Sequence, residues 1–141
     1  MTSHRGNDER TSLGTFCLVL HSHLPWVAHH GTWPVGEEWL HQAWADSYAR
    51  VIDVASRLAL EGRTNLFTLG ITPVLAAQLD DSYLLREHER WLSDRLIRAV
   101  DLANSPLAMR RSAGHLAFTE AQLSIDLFQQ NWRSGGSPVL R

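Results

Sequence analysis

The feature that most constrains the fold is the apolar run Phe16-Cys17-Leu18-Val19-Leu20, which passes without alternation into His21-Ser22-His23-Leu24-Pro25-Trp26. A strand with one wet face alternates apolar and polar residues. A continuous apolar run of strand length instead describes a strand buried on both faces, as in parallel sheets. Pro25 cannot donate to a sheet ladder and ends the run. In barrels and open sheets of this kind, the loops after the carboxyl ends of the strands build the active site. His21 and His23 stand there two residues apart, so both project to the same side of the strand. Two imidazoles so placed suit a metal pair, donors that position a polar substrate, or histidines satisfied near the core.

The rest of the chain supplies a partner strand and long helices. Val27 to Gly36 is a loop rich in Gly, Pro, His and Trp, and Glu37 and Glu38 open a helix. Leu40, Trp44, Tyr48, Val51, Ile52, Ala55 and Leu58 recur on its apolar face, and Gly62 lies just past its end. Asn65 to Leu69 reads as a second short strand. Thr72 and Pro73 then cap and start a helix over Val74 to Leu79. Strand, helix of about 20 residues and strand form a β-α-β unit with a right-handed crossover. The two strand tips therefore lie side by side. Leu85, Leu92, Leu96, Ala99, Val100 and Ala103 mark a further helix from Ser82, broken at Asn104-Ser105-Pro106. A last long helix runs from about Leu107 to Trp132, with Leu116, Leu123, Leu127, Phe128 and Trp132 as its apolar positions. Glu87, Glu89, Arg90, Asp94, Arg95 and Arg98 read as a solvated helix face. His88 and His115 read as structural or exposed.

Composition excludes several classes. With 141 residues, 44% hydrophobic content and a net charge of −2, the chain has the character of one globular domain. All basic residues are arginine, dispersed and outnumbered by acids, so the footprint of a nucleic-acid binder is missing. No apolar run reaches membrane-spanning length, and residues 1–12 form a polar tail without a signal-peptide core, which gives a cytoplasmic expectation with no membrane partner. That tail is expected to be disordered, with a folded unit from 13 to 141. Cys17, the lone cysteine, is expected as a small buried hydrophobe inside the first strand. Trp26, Trp33, Trp39 and Trp44 cluster just after the first strand; aromatic faces of this kind stack on sugar rings or anchor interfaces. Gly135-Gly136 ends a helix, and Ser137-Pro138-Val139-Leu140-Arg141 looks like the cap and first turn of another that does not follow. Two parallel strands do not make a closed parallel sheet, so the chain reads as a truncated opening of a larger α/β domain.

Read together, His21-Ser22-His23-Leu24-Pro25, His30-Gly31-Thr32-Trp33-Pro34-Val35-Gly36-Glu37-Glu38-Trp39-Leu40 and Leu69-Gly70-Ile71-Thr72-Pro73-Val74-Leu75 resemble the amino-terminal part of the glycoside hydrolase family 57 α-glucan branching enzymes, in order and spacing as well as residues. The resemblance covers about Thr15 to Arg141. It implies the opening of an incomplete (β/α)7 barrel of the glycoside hydrolase/deacetylase type, with two parallel strands and long helices. It further implies an α-glucan substrate, no cofactor, and a retaining transfer that makes α-1,6 branches through a glutamate nucleophile and an aspartate acid/base. By motif match, His21 would contact the sugar of the reacting subsite and Trp39 would be an aromatic wall. His23 and Trp33 would shape the same site. No acid here matches the two catalytic carboxylates: Glu37 and Glu38 start a helix, and Asp80 and Asp81 close one. The chain alone is therefore expected to be inactive, and the rest of the barrel is an expected partner. Two rivals stay open. One is a metal-dependent hydrolase with His21 and His23 as ligands, joined by His29, His30, His41 or residues of strands the chain lacks. The other is a noncatalytic module for glucan or partner binding.

Overall fold

The computed structural model describes residues 14–31 and 36–133. The expected tail, Trp33 and the cap-and-turn after Gly135 lie outside the described residues.

Two short strands pair in parallel, β1 (Val19–Ser22) and β2 (Thr68–Ile71). The register sets Val19 opposite Thr68, Leu20 opposite Leu69, His21 opposite Gly70 and Ser22 opposite Ile71. Both strands lie later in the chain than their apolar runs predict, so His21 is inside the ladder and only His23 lies beyond it. The backbone bonds fix this: Thr68 N–H donates to the Leu18 carbonyl at 2.9 Å, and Thr72 N–H to the Ser22 carbonyl at 3.2 Å. Apolar content predicts a strand, but pairing decides its ends.

Between the strands the expected helix is one rod in three pieces: α1 (Glu37–Ala43), a π-helical turn (Trp44–Tyr48) and α2 (Ala49–Leu60). One extra residue in a turn rotates every following side chain by about 100° about the axis. Leu40, His41, Trp44, Ala45 and Ala49 are buried, whereas Val51, Ile52, Ala55 and Leu58 are only half-buried. The rod thus turns one face to the helical core and, after the π turn, another toward the sheet.

Helix α3 (Pro73–Asp80) leaves the tip of β2 directly, with the Thr72 hydroxyl accepting from Leu75 N–H and Pro73 in the first turn, where its missing N–H costs nothing. Asp81 caps α4 (Ser82–Ala103) by accepting from Tyr83 and Leu84 N–H, both at 2.9 Å. Helix α5 (Ala108–Phe128) folds back along α4 and ends in a second π turn (Gln129–Arg133). Its buried positions are Gly114, Ala121, Ser124, Leu127 and Phe128, while Leu116 and Leu123 are exposed. The expectation of a leucine face therefore fails at Leu116 and Leu123 and holds at Leu127. At Gly114 α4 and α5 approach so closely that a Cβ would stand 2.1 Å from the Ala103 backbone nitrogen, and only glycine fits.

The core lies among the helices. It gathers Leu40, Trp44, Leu75, Leu79, Leu84, Leu92, Leu127, Phe128 and Trp132, with Val27 and Ala28 of the first loop packed against them. Trp44 and Trp132, each within a π turn, meet edge to face with ring centroids 5.3 Å apart. The sheet lies outside this core. Phe16 is 87% and Val19 66% exposed, and Cys17 is exposed too, so β1 is not buried on both faces and the cysteine is not a core residue. A two-stranded sheet with one helical rod beside it has too few neighbours to cover its faces.

Candidate functional site

The strand tip is built by β1, the loop that follows it, and the β2–α3 junction. His21 and His23 lie on the same side, with ring centroids 5.4 Å apart and planes tilted by 36°. Both are exposed. Gly70 sits across the ladder from His21, and a Cβ there would touch the His21 Nδ1 at 3.5 Å, so the imidazole lies against the β2 backbone. Ser22 faces the gap between sheet and rod, a cavity of about 180 Å³ that Ser47, Tyr48 and Ile71 also line.

The loop after His23 is tied down at two places. Gln78 of α3, fully buried, donates from Nε2 to the Pro25 carbonyl at 3.0 Å and accepts at Oε1 from Val27 N–H at 2.7 Å. Glu37 of α1, also buried, accepts from His29 N–H at 2.7 Å and from the Tyr83 hydroxyl at 3.2 Å. His29 stacks on Tyr83 at 4.2 Å and holds a φ of +64°, a left-handed conformation uncommon for a non-glycine residue. Glu37 N–H also donates to the Gly31 carbonyl at 3.0 Å, and the same carbonyl oxygen would lie 1.8 Å from any Cβ on Gly36. Only glycine fits there. The residues following the first strand are therefore held by buried polar side chains from two helices. The composition of the loop alone does not show this.

Trp39 is on α1 and 48% exposed, and Trp26, at the clamped turn of the loop, is 49% exposed. Trp44 belongs to the core and is excluded from any open site. Periodicity and capping mark Glu37 as a helix start and leave Gln78 without a role. The signal for Gln78 was a polar residue between Leu75 and Leu79 on the apolar side of a short helix.

His41, one of the residues weighed as a further ligand, is buried away from the tip. Its Nδ1 is 3.3 Å from the Nδ1 of His88 on α4. His88 stacks on Trp44 at 4.4 Å and on Trp91 at 5.8 Å between ring centroids. Burial lowers the pKa of His41 against the opposing pull of Glu37, Glu38 and Glu87. Burial, with His41 and Arg95 adding to it, holds His88 well below its usual value. Both rings are therefore neutral at pH 7. No group of three or more His, Cys, Asp or Glu side chains arranged to hold a metal ion occurs among the described residues. The acids expected on the solvated face pair across the helices, Glu89 with Arg133, or along one, Glu87 with Arg90, while Arg95 reaches Asp46 and lies over the Trp91 ring. None of the helices among the described residues is long and apolar enough to cross a membrane.

A parallel β-α-β unit with two histidines at the strand tip and long helices packed beyond it is a partial α/β fold, and solved structures that share it are GH57 branching enzymes. The chain is homologous to 1,4-alpha-glucan branching enzymes and spans about a quarter of the length of the first curated relatives it matches. A Mycobacterium tuberculosis protein designated probable 1,4-alpha-glucan branching enzyme is 45% identical over 91% of this chain, which covers 27% of that relative. The 1,4-alpha-glucan branching enzyme of Thermococcus kodakarensis is 37% identical over 62% of the chain and 13% of its own length. Among solved structures, a GH57-type branching enzyme from Pyrococcus horikoshii superposes with a TM-score of 0.73 at 33% identity, over 88% of this chain and 23% of its own. The Thermococcus branching enzyme, solved in complex with glucose and additives, gives 0.71 at 30% identity over 81% of this chain and 20% of its own. No family model matches the chain.

Proposed function

We propose that this chain is part of an α-1,4-glucan branching enzyme and supplies one side of its sugar-binding site. The observation that carries the reading is the exposed His21–His23 pair at the β1 tip, 5.4 Å apart and followed by a clamped loop, in a chain homologous to branching enzymes. Each imidazole carries two ring nitrogens that can hydrogen-bond hydroxyl groups, so the pair can hold two hydroxyls of one sugar. In this reading His21 contacts the sugar of the reacting subsite, Trp39 is an aromatic wall, and His23 and Trp33 shape the same pocket. The ligand is α-glucan, with no nucleic acid or membrane partner, and the compartment is the cytoplasm.

The reaction that goes with this site is a retaining double displacement. A carboxylate nucleophile forms a glycosyl-enzyme, and the 6-hydroxyl of a second glucan then attacks it with the help of an acid/base carboxyl. Three of the described carboxyls are engaged in other contacts. Glu37 is occupied by His29 and Tyr83, Glu38 accepts from the Trp91 indole at 2.7 Å, and Asp81 caps α4. In this reading the chain contributes binding and orientation, and the covalent step belongs to residues outside it, on the remainder of the barrel. Electrophoresis of the purified chain through gels containing amylose tests the binding. Retardation in wild type that is lost in His21→Ala and Trp39→Ala supports the reading, and mobility unaffected by amylose contradicts it. For the metal-hydrolase alternative, His21 and His23 find no third donor among the described residues.

A further inference from the structure

Trp26 sits between two backbone groups that are held by one side chain. The Gln78 amide donates to the carbonyl of Pro25, the residue before it, and accepts from the N–H of Val27, the residue after it. A primary amide carries a donor and an acceptor on one short fork, so it grips both sides of a single residue. Val27 and Ala28 then turn into the core, while Trp26 keeps half its surface in solvent. The clamp thus fixes the backbone around Trp26 and leaves the indole outside.

Core packing alone does not call for an amide here. A buried primary amide costs free energy unless both its arms are bonded, and an unbranched apolar side chain of similar length would fill the place between Leu75 and Leu79 without that cost. What the amide adds is a defined path for the loop. The helix that carries it starts at Thr72-Pro73, directly after the strand whose Gly70 lies against His21. Strand tip, loop and clamp are therefore joined in one rigid β-α connection. A polar loop that drifts must give up orientation each time it binds, whereas a fixed one does not.

We propose that Gln78 is a positioning residue for sugar recognition, its amide setting the Pro25–Val27 backbone so that Trp26 is presented as a stacking face three residues beyond His23. The proposal rests on the reading that the chain binds α-glucan. The test is titration of the full chain with maltoheptaose, followed by the indole N–H resonance of Trp26 and by affinity, at a temperature where each variant melts cooperatively above it. Gln78→Met keeps the volume and removes both arms, and is expected to shift the Trp26 resonance and weaken binding about tenfold. Trp26→Ala should cost a similar factor alone and add little in the Gln78→Met background, because both act through one contact. Gln78→Glu, held protonated by burial, retains a donor and an acceptor and should bind within about threefold of wild type. If Gln78→Met does not fold, Gln78→Glu together with Trp26→Ala decides. Tight binding by the first and loss by the second is expected, and full affinity of Trp26→Ala overturns the proposal. Unchanged affinity of a folded Gln78→Met, or losses that simply add, overturn it as well. A wild-type chain without affinity for maltoheptaose overturns it together with the glucan reading beneath it.

Discussion

His41 and His88 face each other across α1 and α4 with 3.3 Å between their Nδ1 atoms, in a pocket walled by Trp44, Trp91 and Phe128. One ring donates and the other accepts, so the two are held in different tautomers. The pair joins the helix that follows the first strand to the helical hairpin behind it.

Acid should weaken this joint. Both imidazoles have folded-state pKa values below the unfolded value, so below about pH 6.5 the unfolded chain binds more protons than the folded one. The stability they contribute is complete above that pH and is lost as pH falls through it toward their lowered values. Urea midpoints measured from pH 8 to pH 5 should fall in that window. His88→Phe should flatten the profile, and a midpoint independent of pH would refute the burial of the pair.

The indole nitrogens of Trp44 and Trp132 differ. Trp132 Nε1 donates to the Leu79 carbonyl at 3.2 Å, while Trp44 Nε1 is buried with no partner among the described residues. Trp44→Phe removes an unsatisfied donor along with its volume, whereas Trp132→Phe leaves a buried carbonyl unpaired. Trp132→Phe should be the costlier by about 1 kcal/mol, read from paired denaturant melts.

Gly114→Ala tests the close contact of α4 and α5. Alanine favours a helix by about 1 kcal/mol over glycine. Here its methyl would meet the Ala103 backbone, which cannot move as a side-chain tip can. A net loss of about 2 kcal/mol or more is expected. A stabilised variant would show that the helices stand farther apart.

The uncovered strand carries a further consequence. Phe16, Leu18 and Val19 are exposed beside a two-stranded sheet, an apolar edge of the kind that pairs with other chains. Sedimentation velocity should show concentration-dependent association that Val19→Lys reduces.

Much of this fold was legible before the structure. The strand-helix-strand order, the Thr72-Pro73 start of α3, the break at Asn104-Ser105-Pro106 and the hairpin of long helices follow from periodicity and capping, which are local. What was not legible depends on partners. The strand ends moved because ladder bonds, not apolar content, fix them. Cys17 and Phe16 are exposed because burial depends on how many layers cover the sheet. Leu116 and Leu123 lie outside because α5 packs through its small residues, and a leucine stripe outweighs glycine in any hydrophobic pattern. At the site, the alternation of His21 and His23 placed both rings on one side. Gln78 and Glu37 show as loop clamps only once the loop is seen.

A histidine-bearing strand tip that serves as a sugar-binding surface should take up a glucan oligomer in solution. Isothermal titration of the chain with maltoheptaose measures this uptake, beside His21→Ala and a melting curve for each protein. Wild type should bind measurably, and a His21→Ala variant that melts at the same temperature should not. No binding by a folded wild-type chain, or equal binding by His21→Ala, would contradict a sugar-binding strand tip.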